Sequence, residues 1–440
     1  MTGGSGLSAP GFPEAAVRER ARSGTAAAFP PLSGYGHTLL GAAPGAPEAG
    51  APYGTPGDLL ETGRLVPPVF MPRRLEKLIE LGREPQHSDV DLTTEIGGFQ
   101  APLPLYVSAF GSTRAAGDGL GTAVGRQAGS LGLPLVIGEN VLPVSGYGRP
   151  GTASAGDGDA AGLLRRIRAY ADELPDGVGG IAVQQSTEDA DAEVWNLVHS
   201  DPHVQPLLAS GRLAFELKVG QGAKPGLGGM TLVDAAEADR LADRYRVQDT
   251  LGEKGDVLRC SAPGTVTEEI LRQQIRFMRS NYPRVRVWVK LFPGRDVDRA
   301  AAVAWQAGAD AVTVDGAEGG SGWAPHAFLD GVGLPLGECL RRIAAGPHPL
   351  LVSGRMWEGG RVARSLALGA RAAGLGRAAL LAADEDPDRG LIRLTACLEL
   401  ELRLLVSALG KYAAAELAPE DLWPQPAAER RPDPTTREPS

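Results

Sequence analysis

The chain has 440 residues, 43% of them hydrophobic, enough to bury a sizeable core in one large domain with extensions or in two domains. Charged residues are 22% and the net charge is −9, with Arg interleaved among Asp and Glu, which argues against a nucleic-acid or polyanion binder because neutralising phosphates takes clustered Lys and Arg. Cys260, Cys339 and Cys397 lie far apart with no C-x-x-C pair, which disfavours a zinc ribbon, a cysteine-only iron–sulfur site and a disulfide framework.

The start, Met-Thr-Gly-Gly-Ser-Gly, lacks the basic and apolar regions of a secretory signal, and no apolar stretch reaches transmembrane length. A cytoplasmic protein is therefore expected. Residues 1–60, rich in Gly, Ala and Pro, read as a flexible extension or an arm draped over the body, with a short helical pattern at Glu14–Arg22. Residues 61–100 hold one helix after Pro72 and a hairpin turning on Gly97-Gly98, both expected to pack on the body.

From there short apolar runs ending in Gly or polar residues alternate with helical patterns. The strands are expected at Leu103–Ala109, Pro134–Gly138, Gly180–Gln184, Ala214–Lys218, Arg286–Leu291, Asp310–Val314, Pro349–Ser353 and Ala372–Gly376. The helices between them are expected at Gly117–Leu131, Ala160–Leu174, Glu188–Ser200, Glu268–Tyr282, Val297–Ala307, Pro335–Ala345 and Gly359–Leu368. The fourth connection, Val219 to Pro283, is long and carries a further helical pattern at Leu232–Tyr245. An amphipathic helix at Arg389–Leu409 follows the last strand. This series predicts an α/β fold, a closed (β/α)8 TIM barrel over residues 101–417, since about eight such units suit that size. An open doubly wound sheet is the weaker alternative, because no G-x-G-x-x-G follows an early strand. The tail, 418–440, is Pro-rich and polar and is expected to be disordered.

Strand-end residues of a barrel share one rim. Here they are Ser108, Glu139, Gln184 with Gln185, Lys218, Lys290, Asp315 and Ser353 with Arg355. Such a ring suits an isoalloxazine, which needs hydrogen bonds along its pyrimidine edge and a cation near N1 and O2. Lys290 is the candidate cation; a simple ion pair with a neighbouring carboxylate is its structural alternative. Gly354 and Arg355 after the seventh strand, and Gly374, Gly376 and Arg377 at the eighth, are candidates for holding a phosphate with backbone N–H groups. Asp315, Gly319 and Gly320 lie in a nest-like loop after the sixth strand. The fourth strand runs from Lys218 into a Gly-rich loop carrying Gln221 and Lys224, where the backbone can approach a ligand closely.

The loop GQGAKPGLGG, 220–229, resembles the Q-G-A-K-P-G-x-G-G signature of the synthase domain of glutamate synthase. VSAFGS at 107–112, GEN at 138–140, VKL at 289–291, DGAEGGSGWAP at 315–325 and GLGRAAL at 374–380 resemble that family's segments in the same order. The resemblance covers about residues 90–410 and implies an FMN-binding (β/α)8 barrel. It implies that Glu139 acts near the flavin as the proton carrier, and that Lys224 binds the carboxylate of a small acid. Met230 stands where the family places a Gln that contacts 2-oxoglutarate, and C-S-A-P-G-T, 260–265, replaces its P-P-P-H-H-D. The family's iron–sulfur cysteines have no counterpart beyond Cys397, and its G-G-L-R becomes Gly354-Arg355-Met356-Trp357.

The function expected is that of an FMN-dependent oxidoreductase moving hydride between flavin and a small amino, imino or oxo acid. Expected partners are a carboxylic acid substrate, an electron-donor protein or pyridine nucleotide, and a second copy in a homo-oligomer; no metal, nucleic acid or membrane is expected. The alternatives are a 2-hydroxy-acid oxidase or flavin-dependent isomerase, and a catalytically inactive barrel acting as a scaffold.

Overall fold

The computed structural model describes residues 7–9, 11–28, 58–110, 118–138, 156–186, 194–222, 230–234, 246–248, 256–260, 265–319, 328 and 331–424. Its strands are β1 (Arg64–Leu65), β2 (Thr94–Ile96), β3 (Phe99–Ala101), β4 (Leu105–Phe110), β5 (Leu135–Ile137), β6 (Ile181–Ser186), β7 (Leu213–Lys218), β8 (Met230–Asp234), β9 (Arg246–Gln248), β10 (Asp256–Cys260), β11 (Arg286–Leu291), β12 (Ala311–Asp315), β13 (Leu350–Ser353), β14 (Ala372–Leu375) and β15 (Leu422–Trp423). Strands β4, β5, β6, β7, β11, β12, β13 and β14 close in that order into a parallel barrel, β14 pairing back onto β4. The expected fold is the observed one. The strands form because their β-branched and aliphatic runs, such as Val-Trp-Val in β11 and Val-Thr-Val in β12, are buried on both faces.

Side chains on a strand alternate between two faces, so each barrel strand splits its residues between the interior and the helix layer. One interior layer draws a single residue from every strand: Tyr106, Val136, Ala182, Ala214, Trp288, Ala311, Leu351 and Ala372 form one buried cluster. The β2–β3 hairpin adds Ile96, Phe99 and Ala101 to that cluster and so plugs the barrel from the N-terminal end of its strands. Ile96 pairs with Phe99 across Gly97 and Gly98, whose φ of 57° and 96° are those a two-residue primed turn requires. The Trp288 indole N–H donates to Gly97 O at 2.9 Å, fastening plug to barrel.

Two expectations differ from what is found, and a third is made specific. The Leu232–Tyr245 helix is replaced, over its described part, by strand: β8, β10 and β9 form an antiparallel sheet between β7 and β11. Met-Thr-Leu-Val pairs there with Val-Leu-Arg-Cys, and two apolar runs within pairing distance override a helical pattern that stood alone. In the N-terminal extension the short helix expected at Glu14–Arg22 is found over Glu14–Ser23, and it buries Val17 and Ala21, as an arm draped over the body would. Its Arg18 pairs with Asp384 at 2.8 Å and Glu385 at 3.2 Å, and Arg20 with Glu401 at 2.7 Å. Composition hides such an anchor, because its partners lie over 360 residues away in sequence. The tail expected to be disordered from 418 is ordered through 424: Leu422–Trp423 pairs antiparallel with β1, and Lys411 meets buried Asp421 at 2.6 Å.

Candidate functional site

Two residues beyond the apolar layer, the same interior faces turn polar. Ser108, Gln184, Glu216, Lys290, Thr313 and Ser353 form this second layer, all buried. Lys218 and Asp315, the next inward positions on β7 and β12, continue it towards the C-terminal mouth and are buried too. Gln185 falls on the opposite face of β6, away from this interior.

The layer is a connected network. Lys290 Nζ lies 3.0 Å from Asp315 Oδ2. The Ser353 hydroxyl donates to the other Asp315 oxygen. Gln184 Nε2 donates to Glu216 Oε2 at 2.5 Å, and Thr313 Oγ1 donates to Glu216 Oε1 at 2.9 Å. Burial pushes the Glu216 carboxyl above its ordinary range, against the opposing pull of Lys290 and the two hydrogen bonds. Burial likewise raises the Tyr106 phenol, whose O–H donates to Val352 O at 3.2 Å beneath the polar layer.

The loops after β13 and β14 carry the expected phosphate residues, and the structure places these differently from one another. Gly376 caps the Arg377–Glu385 helix, and a Cβ there would meet Ser108 Oγ at 3.1 Å. Gly374 faces the interior, where a Cβ would come within 2.6 Å of the Tyr106 ring and 2.7 Å of Ser108 Cβ; its requirement is packing room. Gly354 has φ 141° and Arg355 φ 53°, so this loop is held in backbone that favours glycine. The Arg355 guanidinium donates to Gly11 O and to Glu61 Oε1, the latter at 3.2 Å. Arg377 donates to Glu318 O at 2.5 Å and lies 4.7 Å above the centre of the Phe12 ring. Both arginines are thus engaged by the N-terminal arm and the β12 loop. Gly319 closes a tight turn, its N–H donating to Gly316 O at 2.8 Å.

Beneath those loops runs a buried charge cluster that sequence reasoning missed. Arg361 is fully buried; it donates to Glu318 Oε1 at 2.6 Å, to Glu61 Oε1 at 2.5 Å and to Gly354 O at 3.0 Å. Asp58 Oδ2 sits 3.9 Å from the same guanidinium without a hydrogen-bond partner. Burial, with Glu318 nearby, pushes the Asp58 carboxyl up to about 6. No sequence signal marks Arg361, one of two arginines on the Gly359–Ala367 helix. Glu216 and Thr313 were also missed, yet the signal existed: Glu216 shares a face with Ala214 and Lys218 in an otherwise apolar strand.

Of the remaining expected residues, Gln221 lies half-buried just beyond β7, and Met230 begins β8. Glu139, Lys224 and Gly320 lie outside the described residues.

Residues 175–385 match the family described as the conserved region in glutamate synthase, a span that takes in β6 to β14. A glutamate synthase large subunit-like protein of Rhizobium meliloti is 36% identical over 185 residues, 40% of this chain and 40% of that protein. An archaeal-type glutamate synthase [NADPH] of Dehalococcoides mccartyi is 34% identical over 185 residues, 40% of this chain and 36% of that protein. The match thus spans well under half the length of these relatives. Among solved structures, an (S)-mandelate dehydrogenase chimera superposes with a TM-score of 0.54 at 18% identity, covering 93% of this chain and 99% of that one. The flavin-binding domain of baker's yeast flavocytochrome b2 superposes with a TM-score of 0.52 at 17% identity, covering 86% and 80%. At these identities the structural likeness concerns the barrel fold alone.

Proposed function

We propose that this glutamate synthase-like barrel is an FMN-dependent oxidoreductase acting on a small amino, imino or oxo acid. The observation that carries the reading is the buried polar layer beneath the mouth: one lysine, one carboxyl, one amide and three hydroxyls in a barrel otherwise packed with apolar side chains. Such a layer is costly to bury, and a bound polar ring is the economical reason to keep it.

The donor set fits an isoalloxazine. Lys290 supplies a cation fixed by Asp315, Gln184 an amide, and Ser108 a hydroxyl beside the bare Cα of Gly376. Bound there, FMN would supply reversible hydride exchange with a carbon attached to nitrogen or oxygen. Lys290 would balance negative charge at the pyrimidine edge. By the resemblance, Lys224 would bind the substrate carboxylate and Glu139 would carry the proton. Met230, in place of a family Gln, argues for a substrate other than 2-oxoglutarate. NADPH, named with several of the relatives, is the electron donor to test first.

The 2-hydroxy-acid oxidase alternative is disfavoured by one placement. It needs a histidine base close to an arginine late in the barrel, whereas the histidine near the seventh barrel strand, His348, precedes β13 and stacks on Trp305 with ring centres 5.1 Å apart. The test is direct. Purified protein reconstituted with FMN should show the oxidised-flavin absorbance band, and amino acids should bleach it anaerobically where 2-hydroxy acids do not. A protein that takes up no FMN would leave the scaffold reading standing instead.

A further inference from the structure

Glu216 is the one carboxylate in an otherwise apolar stretch of β7, Leu-Ala-Phe-Glu-Leu, and it faces the barrel interior. Its two oxygens are spoken for by different strands. Gln184, its register partner on β6, reaches Oε2 from one side. Thr313 on β12 reaches Oε1 from the other, across the intervening β11. Each oxygen of this buried carboxyl thus accepts from a side chain on another strand, so it holds the donor group of each in a fixed place.

Both Glu216 oxygens accept, so the carboxyl takes the donor end of its amide partner, and a glutamine amide has one donor end and one acceptor end. With the nitrogen end of Gln184 held on Glu216, the carbonyl oxygen Oε1 is the end turned elsewhere. Without Glu216 the amide would be free to present either end, because the two differ little in shape.

We propose that Glu216 is a positioning residue: it locks the amide of Gln184 so that Oε1 faces the cofactor as an acceptor for an imide N–H, the N3–H of an isoalloxazine. This rests on the FMN reading above and adds to it the direction of one recognition contact and the residue that enforces it. Thr313 holds the carboxylate in place from the opposite side.

The experiment is a double-variant cycle read by FMN titration, following quenching of flavin fluorescence, with 3-methyl-FMN as a probe that lacks the N3–H. In the Gln184 background, Glu216→Gln should weaken FMN binding about tenfold, the scale of one hydrogen bond to an ordered partner, and erase most of the preference for FMN over 3-methyl-FMN. In a Gln184→Met background the same substitution should change FMN affinity less than about twofold, since the residue it acts through is gone. Equal losses in both backgrounds would assign Glu216 to general stability and overturn the proposal, as would an unchanged preference against 3-methyl-FMN. Should Glu216→Gln fail to fold, Thr313→Val provides the second route; its smaller loss of affinity must also vanish with Gln184→Met. Wild-type protein that binds no FMN at all would bring down the parent reading and this one with it. That result is distinct from wild-type binding that Glu216→Gln leaves untouched.

Discussion

The Lys290 ammonium lies 3.0 Å from Asp315 Oδ2 inside the barrel, with only 6% and 2% of the two side chains exposed. Ion pairing and cofactor binding were alternatives for this lysine from sequence alone. Their geometry makes them compatible: Asp315 also accepts from Ser353, so the carboxylate is anchored independently and holds the ammonium at a fixed height in the interior.

Lys290→Met should therefore do two things. It leaves Asp315 buried and unpaired, at a cost of about 3–5 kcal/mol in stability. On the proposed reading it also removes the cation that holds FMN. Adding Asp315→Asn should restore most of the stability but not the flavin. Urea unfolding and flavin absorbance on the same samples separate the two effects. A folded double variant retaining flavin like wild type would take Lys290 out of the site.

The plug hairpin makes a second, purely structural prediction. Gly97 has φ 57°, and a Cβ on it would sit 2.5 Å from Trp288 Nε1. Gly97→Ala must displace the Trp288 ring and lose its bond to Gly97 O, so a loss of about 2–4 kcal/mol is expected by chemical unfolding. An unchanged midpoint would mean that the barrel floor is not closed by this contact.

Much of this architecture was legible in advance. Each barrel strand is a short apolar run with a polar end, and the common rim of the strand ends groups Ser108, Gln184, Lys290 and Asp315, which the structure brings into one buried interior. What was illegible depended on contacts distant in sequence. Arg18 reads as one more surface arginine until Asp384 and Glu385 are seen beside it. Arg355 and Arg377 read as free phosphate ligands until Gly11, Phe12 and Glu61 come into contact with them. Glu216 lies two residues inside the end of its strand, so the strand-end pattern alone does not mark it, although its alternation with Lys218 puts both on one face.

The arm's hold on the barrel rests on Phe12, buried beneath the Arg377 guanidinium. Phe12→Ala removes the ring and its cation–π contact and should cost about 2–4 kcal/mol, partly offset if the arm detaches. Limited trypsin digestion should then cut after Arg18, Arg20 or Arg22 under conditions where wild type resists. Equal resistance would show that the ion pairs to Asp384, Glu385 and Glu401 suffice without Phe12.

Asp58 gives a pH-dependent prediction with a definite sign. Its carboxyl rises from an ordinary 3.8 to about 6 on folding, chiefly through burial, with Glu318 adding to the rise and Arg361 opposing it. A raised carboxyl pKa means that the folded state binds the proton more tightly. The stabilisation from protonated Asp58 is therefore complete below about pH 4 and is lost as pH climbs through 6. Asp58→Asn has no such proton. Wild type minus Asp58→Asn should accordingly fall between pH 4 and pH 7, by up to about 3 kcal/mol if the whole shift is expressed. Taking the difference cancels the titration of every other group, including Glu61 and Glu318, so long as the substitution leaves their contacts with Arg361 in place. Urea unfolding of both proteins across this range reads it directly. A difference that stays level, or rises with pH, would mean that Arg361 at 3.9 Å outweighs burial and keeps Asp58 ionised in the folded protein.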